Sequence, residues 1–201
     1  MFGAQDVLDY WFGPLDDQGL PDEYHRRRWF KASRALDQEI RRRFLSLVVV
    51  ASEDGLRDWR QQDDGRIAEI ILLDQFTRNI YRGTDLAYAY DRLCRRLCAE
   101  GLDKGVDLRL PALYRAFFIM PLQHSERLED QDRGVGLYEQ LAATTSGALG
   151  DLMGSFLASA RDHRSTIARF GRFPHRNKVL RRPSTPEEQK YLAGGGRRYG
   201  Q

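Results

Sequence analysis

The sequence predicts an all-α protein of about nine helices packed as antiparallel hairpins, and two observations support this prediction. Apolar residues recur at helical spacing along nearly the whole chain, without the alternating pattern of half-buried strands. The loops between these apolar stripes are short, so consecutive helices must pack antiparallel. The 201 residues suit one domain. We expect this domain to span residues 1–193 and residues 194–201 to form a flexible C-terminal tail.

The individual helices follow from their apolar stripes and from the residues that end them. The stretch around Leu72 is apolar on nearly all sides, which predicts a central helix. Gly171 is expected to end the longest helix in a left-handed conformation. Thr185, Pro186 and Glu188 form a capping-box pattern at the start of a last short helix. In chain order, the predicted segments cover residues 5–12, 24–30, 36–48, 56–59, 67–73, 86–98, 111–121, 126–143, 149–170 and 186–193.

Five aromatic residues are predicted to belong to the core, because each of them lies on an apolar helical stripe. Buried aromatic side chains contribute strongly to core packing. If they were instead exposed along one groove, the groove would suit a peptide or stacked bases. The five residues are Trp11, Trp29, Phe76, Phe117 and Phe170.

Composition excludes some classes of protein. The longest apolar runs, such as residues 47–51, are far shorter than the roughly 20 residues that cross a bilayer, so no membrane partner is predicted. The N-terminus lacks the basic start of a secretory signal, and the predicted location is the cytoplasm. Cys94 and Cys98 lie four residues apart on one helix face, where we expect small core residues rather than a disulfide or a zinc site.

Charge is distributed unevenly along the chain. Residues 161–201 have 11 Lys/Arg and 3 Asp/Glu, whereas the whole chain has 32 and 29, so the C-terminal fifth is basic and the remainder acidic. This asymmetry predicts either an anion site or a basic segment docked on an acidic body. A pI of about 8.9 and the acidic residues 1–160 argue against a long nucleic-acid-binding face, so nucleic acid is an unlikely partner.

Three stretches place polar residues beside aromatic residues and turn formers. In the first, residues 73–79, Asp74 and Arg78 are four residues apart and can pair, as can Gln75 and Asn79. A solvent-facing helix end with one salt bridge would explain the same spacing. We keep all four as candidate ligand-binding residues.

The second stretch, residues 120–126, places His124 and Glu126 just after a proline expected to interrupt a helix. These two residues are candidates for acid–base catalysis. The other histidines are His25, His163 and His175, of which we count the last two as candidate ligand-binding residues. Because the chain lacks H-E-x-x-H or similar spacing, we predict no metal site, and no cofactor-binding motif indicates a cofactor.

The third stretch, residues 170–177, holds Arg172, His175, Arg176 and Asn177 on irregular backbone between Gly171 and the residues that follow Pro174. Arginine forks and backbone amides in such a loop suit a phosphate or carboxylate group. Acidic residues of the body could equally neutralise these arginines. All four residues are candidate ligand-binding residues, and we expect the three stretches to share one site.

Four ordered segments together resemble a bacterial family known as domain of unknown function 924. They are VLDYWFG at residues 7–13, LDQFTRNIYRG at 73–83, MPLQHSE at 120–126 and FGRFPHRN at 170–177. The resemblance runs from about Asp6 to Leu192 and implies an all-α fold similar to tetratricopeptide-repeat superhelices. Thr77, Ile119 and Arg181 depart from the family's usual residues, which affects only local turn geometry. The family implies no established activity.

Two classes of function remain open from the sequence. The first is a helical-array module that binds a peptide or a small anionic ligand. The second is an enzyme that uses His124 and Glu126 for acid–base chemistry on an anionic substrate held by Arg172 or Arg176. The sequence leaves the oligomeric state open.

Overall fold

The computed structural model describes residues 2–30 and 33–199, except for the side chain of Phe30. Within these residues the chain forms nine α-helices and no strand, as the apolar periodicity predicts. The helices are α1 (Ala4–Trp11), α2 (Glu23–Phe30), α3 (Arg34–Ser52), α4 (Asp63–Ile70, Ile71–Phe76 and Thr77–Ile80), α5 (Asp91–Asp103), α6 (Ala112–Gln123), α7 (Leu128–Ala143), α8 (Gly147–Phe170) and α9 (Pro186–Ala193).

Helix α4 is continuous, but its middle segment, Ile71–Phe76, is a π-helix. The wider turn is visible in the hydrogen bond from the Thr77 N–H to the Leu72 carbonyl, five residues earlier. The Thr77 hydroxyl donates to the Leu73 carbonyl over 2.7 Å and satisfies an acceptor beside the wide turn. Isolated π-helical turns are frequent at functional sites.

The packing places α4 at the centre of the first half of the chain, against α1, α3, α5 and α6. In the second half, α6, α7 and α8 pack on one another, and α6 also contacts α5. Helix α6 therefore joins both halves. Since α4 and α6 meet in the core, the polar residues near their C-terminal ends can reach one another.

Local signals set the helix ends as predicted in several places. Gly13 ends α1 at a φ of 65°, and a Cβ atom there would lie only 2.4 Å from the His25 ring. Gly171 ends α8 at a φ of 68°, as expected. Thr185 and Glu188 form the predicted capping box of α9.

Two expectations about helix continuity need correction. Pro121 does not interrupt its helix, because α6 continues to Gln123. A proline so close to a C-terminus disturbs only the last turn. The short helix expected around Leu56 and Trp59 is a 3-10 turn at Arg57–Gln61.

The core contains four of the five aromatic residues predicted to be buried: Trp11, Trp29, Phe76 and Phe117 are between 0% and 7% exposed. The fifth residue, Phe170 at the end of α8, is partly buried. Its ring packs against Tyr191 of α9, with a centroid distance of 5.0 Å. The stripe that contains Phe170 thus extends one turn beyond the core.

Among the residues described, no helix is both long and apolar enough to cross a membrane. Cys94 and Cys98 are buried free thiols.

The last described residues, 194–199, return to the body: the Tyr199 ring lies 3.7 Å from the His163 ring, and its hydroxyl is 2.9 Å from Thr166 Oγ1. The expected flexibility of the tail stays a prediction, and residues 200–201 lie outside the described part.

Candidate functional site

Asp74 lies in the π-helical segment of α4, all of whose residues are buried. Asp74 is 1% exposed and Arg78 is 8% exposed. The alternative of a solvent-facing helix end is therefore wrong for this pair. Because burying unpaired charges costs several kcal/mol, these two residues require partners in the interior.

The Asp74 carboxylate accepts hydrogen bonds from two side chains and forms an ion pair with a third. His124 Nδ1 lies 2.7 Å from Oδ1, and Gln75 Nε2 lies 2.5 Å from Oδ2. Arg78 Nη1 donates to the Asp74 carbonyl over 2.7 Å and lies 3.0 Å from Oδ1. Burial alone would raise the pKa of Asp74, but the charge of Arg78 and the hydrogen bonds from His124 and Gln75 outweigh it and hold this pKa well below its usual range. Asp74 is therefore ionised at neutral pH.

His124 immediately follows α6, and its Nδ1 is committed to Asp74. Since ionised Asp74 can only accept, Nδ1 carries the proton and Nε2 has the free lone pair in the neutral ring. Burial lowers the pKa of His124, although the charge of Asp74 opposes this shift. A histidine oriented by a buried carboxylate through Nδ1 is an arrangement that enzymes use for proton transfer.

Glu126 does not share the environment of His124. It accepts from the Phe173 N–H over 2.8 Å and from both terminal nitrogens of Arg182, at 2.6 and 2.9 Å. Burial alone would raise the pKa of Glu126, but these hydrogen bonds outweigh it and lower the pKa. The carboxylate that contacts the His124 ring is therefore Asp74, and Glu126 fixes the loop around Phe173 instead.

Two more histidines border the same interior region. His163 of α8 is 3% exposed, donates from Nδ1 to the Ser159 carbonyl over 2.7 Å, and has its ring 6.0 Å from that of His124. Burial lowers the pKa of His163 well below its ordinary value. His175 is partly buried, and burial together with the charge of Arg176 lowers its pKa to about 3. Both rings are neutral at pH 7.

Arg176 is the most deeply buried cation of the third stretch, at 6% exposure. It donates to Asp91 over 3.2 Å and to the His124 carbonyl over 3.0 Å. Its guanidinium carbon lies 4.5 Å from the ring centroids of both Tyr88 and Phe173. Burial lowers the pKa of Arg176, although the charge of Asp91 opposes this shift.

Two buried nitrogen atoms in this loop have no hydrogen-bond partner among the described residues. They are Nε of Arg176 and Nδ1 of the adjacent His175. Buried polar atoms are nearly always paired, so each unpaired atom marks a position where a ligand or water could bind. Five other buried side-chain atoms of the described residues also lack a partner, on Tyr10, Trp11, Arg66, Gln123 and Gln131. The pair in this loop includes Arg176, which donates to the His124 carbonyl. We call the surrounding group the buried cluster; its residues are Asp74, Arg78, Asp91, His124, His163, His175 and Arg176.

Arg172, in contrast, has a carboxylate partner for its Nε. Its Nε and a terminal nitrogen bind Glu188 over 2.6 and 2.8 Å, and the same terminal nitrogen reaches the Pro183 carbonyl. Asn177 also donates to Glu188, over 3.2 Å, and accepts from Arg182. We call this second group the C-terminal clasp; its residues are Glu126, Arg172, Asn177, Arg182 and Glu188.

The expected convergence of the three polar stretches therefore holds for most of the candidates. Asp74, Arg78, His124, His163, His175 and Arg176 meet in the buried cluster, and Gln75 supports it through Asp74. Arg172 and Asn177 belong to the neighbouring clasp. Asn79 points elsewhere: its amide donates to Asp37 of α3 over 2.8 Å.

Sequence reasoning missed Asp91, which pairs with both Arg78 and Arg176. Asp91 lies in the first turn of α5, where an acidic residue is ordinary, so nothing in the sequence marked it. Sequence reasoning also missed the pairing of Glu188 with Arg172, because the capping box at the start of α9 already explained an acidic residue at this position. Tyr199 was assigned to the tail, and no signal indicated that it would cover His163. In the described part of the chain, no three ligand side chains are grouped to hold a metal ion.

Comparison with known proteins identifies relatives of unknown function. A solved structure of a protein of unknown function from Agrobacterium tumefaciens is 34% identical, with a TM-score of 0.81 over 96% of this chain and 97% of that chain. No curated protein matches the sequence. The profile of a family described as bacterial protein of unknown function (DUF924) matches residues 7–196. The chain therefore belongs to the DUF924 family.

Proposed function

We propose that the protein binds a small oxyanion, a carboxylate or phosphate group, at the Arg176 edge of the buried cluster. The observation that supports this proposal is the buried Nε of Arg176, which has no acceptor among the described residues. A buried donor without an acceptor costs about 1–3 kcal/mol, and more for a charged group. An oxyanion that accepts this hydrogen bond would remove that cost.

The charges of the cluster support the same proposal. Arg78 shares its charge between Asp74 and Asp91, and Arg176 has only Asp91 as an acidic partner. Of the two arginines in this neutral cluster, Arg176 therefore has fewer ion pairs among the described residues than Arg78. Arginine forks bind carboxylate and phosphate groups well, because their planar donors match two oxygen atoms.

A small ligand fits this site better than a peptide or nucleic acid. The donors in question are buried, whereas extended polymers require an exposed surface along which several units can bind. Ligand sites of small molecules commonly combine apolar walls with a few polar groups, and here Tyr88 and Phe173 flank the guanidinium of Arg176. We retain the cytoplasm as the expected location and a tetratricopeptide-like superhelix as the expected arrangement.

The test is a thermal-shift measurement in sodium sulfate, sodium phosphate and a panel of small carboxylates, at constant ionic strength set with sodium chloride. A ligand at about 100 times its Kd stabilises the folded state by roughly 2.7 kcal/mol, which raises the Tm of a protein of this size by about 5–10 °C. Arg176→Lys keeps the charge but removes the Nε donor, and we expect it to abolish the shift.

Arg172→Lys is the matched control, because Arg172 lies in the same loop and already has a carboxylate partner. It should retain the shift of the wild type. Sulfate also stabilises proteins without specific binding, so a small shift common to all variants is expected. If the wild type gains no more from any of these anions than Arg176→Lys does, the proposed function is wrong.

A further inference from the structure

The His124 ring can accept a proton, which anion binding alone does not require. Its Nδ1 is held by Asp74 at 2.7 Å, and Nε2 makes no hydrogen bond to another described residue. The ring retains some solvent access, with 14% of the side chain exposed. A proton can therefore reach Nε2 without disturbing the hydrogen bond to Asp74.

His124 is also directly connected to the proposed anion site. Its own carbonyl oxygen accepts from Arg176 over 3.0 Å, so an anion at Arg176 would lie close to this residue. The titratable and charged groups that surround His124 come from every element packed around it: Asp74 and Arg78 from α4, Asp91 from α5, His163 from α8, and His175 and Arg176 from the loop after α8.

The charges of these groups balance in the free protein. Two arginines, Arg78 and Arg176, face two carboxylates, Asp74 and Asp91, and the histidines are neutral. An added dianion would leave the cluster negative in an interior where charges interact strongly. Protonation of one histidine would reduce this excess, and His124 alone of the three has a carboxylate against its ring nitrogen.

We propose that His124 is the proton-transfer group of this site, and that it takes up one proton on Nε2 when a fully ionised oxyanion binds. The inference rests on the proposed anion-binding function. The proton comes from the solvent, and the ring changes from one N–H bond to two, while Asp74 stabilises the imidazolium through Nδ1. Because Arg176 bonds to the His124 carbonyl, the protonated residue would be a neighbour of the bound anion and could act as a general acid.

The experiment is isothermal titration calorimetry with sulfate, an anion that has no proton of its own to exchange near pH 7. The titration is repeated in two buffers of very different ionisation enthalpy, so that the difference in observed heat gives the number of protons taken up. We expect about one proton per sulfate at pH 7.5, and an affinity that falls about tenfold for each pH unit above 7.5.

His124→Gln can keep a hydrogen bond to Asp74 but cannot be protonated, so it should bind sulfate with no proton uptake and a flat pH dependence. His25→Gln is the control, since His25 pairs with Asp22 outside the cluster, and it should behave as the wild type. Histidine ¹⁵N spectra of the wild type, with and without sulfate, should show that His124 Nε2 gains a proton. This measurement decides the question even if the variant folds poorly.

The possible failures are distinguishable. If the wild type binds sulfate without proton uptake, the role of His124 is wrong while the anion site stands. If uptake persists in His124→Gln and disappears in His175→Gln, another histidine takes the proton and the inference is overturned. If sulfate, phosphate and carboxylates all fail to bind the wild type, the proposed function and this inference both fall.

Discussion

The loop after α8 contributes to two polar groups whose pairing differs. On the side of Arg172, the C-terminal clasp gives each charge a partner, and the guanidinium and carboxylate groups match one another in pairs. On the side of Arg176, four residues farther along, the buried cluster leaves two nitrogen atoms without a partner in the described residues. The paired charges of the clasp suit a structural role, whereas the unpaired nitrogen atoms of the cluster support the proposed anion site.

The arginines of the loop after α8 differ in how their charges are neutralised. Its arginines could be neutralised by acidic residues of the protein or by an external anion. Arg172 is neutralised by Glu188 of α9, and Arg182 by Glu126. Only Arg176, which combines deep burial with a shared carboxylate, still favours an external anion.

The largest expected effect on stability comes from Asp74→Asn in the buried cluster. The substitution leaves Arg78 buried with less compensation and weakens the support of His124, so we expect a loss of roughly 3–5 kcal/mol in the free energy of unfolding. Urea denaturation measures it. Asp132→Asn is the control, since its ion pair with Arg164 is exposed and should contribute less than about 1 kcal/mol. Equal effects of the two substitutions would contradict the contrast between buried and exposed pairs.

The buried cluster and the C-terminal clasp should lose stability in different pH ranges. Burial holds the pKa of His175 at about 3 in the folded state, while the unfolded value is 6.5. Between these values the unfolded chain binds more protons, so stability falls as the pH falls below 6.5, by at most about 1.4 kcal/mol per pH unit for this residue. His163 adds to the loss in the same direction. We expect His175→Gln to flatten the dependence of the unfolding free energy between pH 6.5 and 5.

The C-terminal clasp should lose stability only at a lower pH than the buried cluster does. The hydrogen bonds from Arg172 lower the pKa of Glu188 to about 2 from an ordinary 4.5. Its contribution is therefore complete above pH 4.5 and is lost as the pH falls toward 2. Glu188→Gln, which also weakens the cap of α9, should cost about 1 kcal/mol at pH 7 in chemical denaturation. A change in slope between pH 6.5 and 5 in this variant would show that the two groups are not separate.

The smallest effect is expected at the exposed end of α8. Arg169 pairs with Glu187, and both side chains are more than half exposed. Arg169→Gln should change the free energy of unfolding by less than about 0.5 kcal/mol. A loss above 1 kcal/mol would mean that the contacts between α8 and α9 stabilise the fold more than their exposure suggests.

The sequence predicted the helices well, because apolar periodicity, caps and breakers act locally. The capping box at Thr185 and the left-handed Gly171 are examples. It predicted less of the site. The pairing of His124 with Asp74 joins residues 50 positions apart. Asp74 also lies in a π-helical turn that no residue pattern predicted. Asp91 was indistinguishable from any acidic residue in a first helical turn.

A crystal structure of the protein grown with sulfate or phosphate would show whether an oxyanion binds to Arg176 Nε. We expect a tetrahedral anion with one oxygen within about 3 Å of Arg176 Nε, close to His124 and His175. Arg172 should still be paired with Glu188 in the same crystal. If Arg176 Nε instead donates to a protein acceptor, and the anions lie at Arg172 or nowhere in the cluster, Arg176 does not bind an anion and the proposed function is wrong.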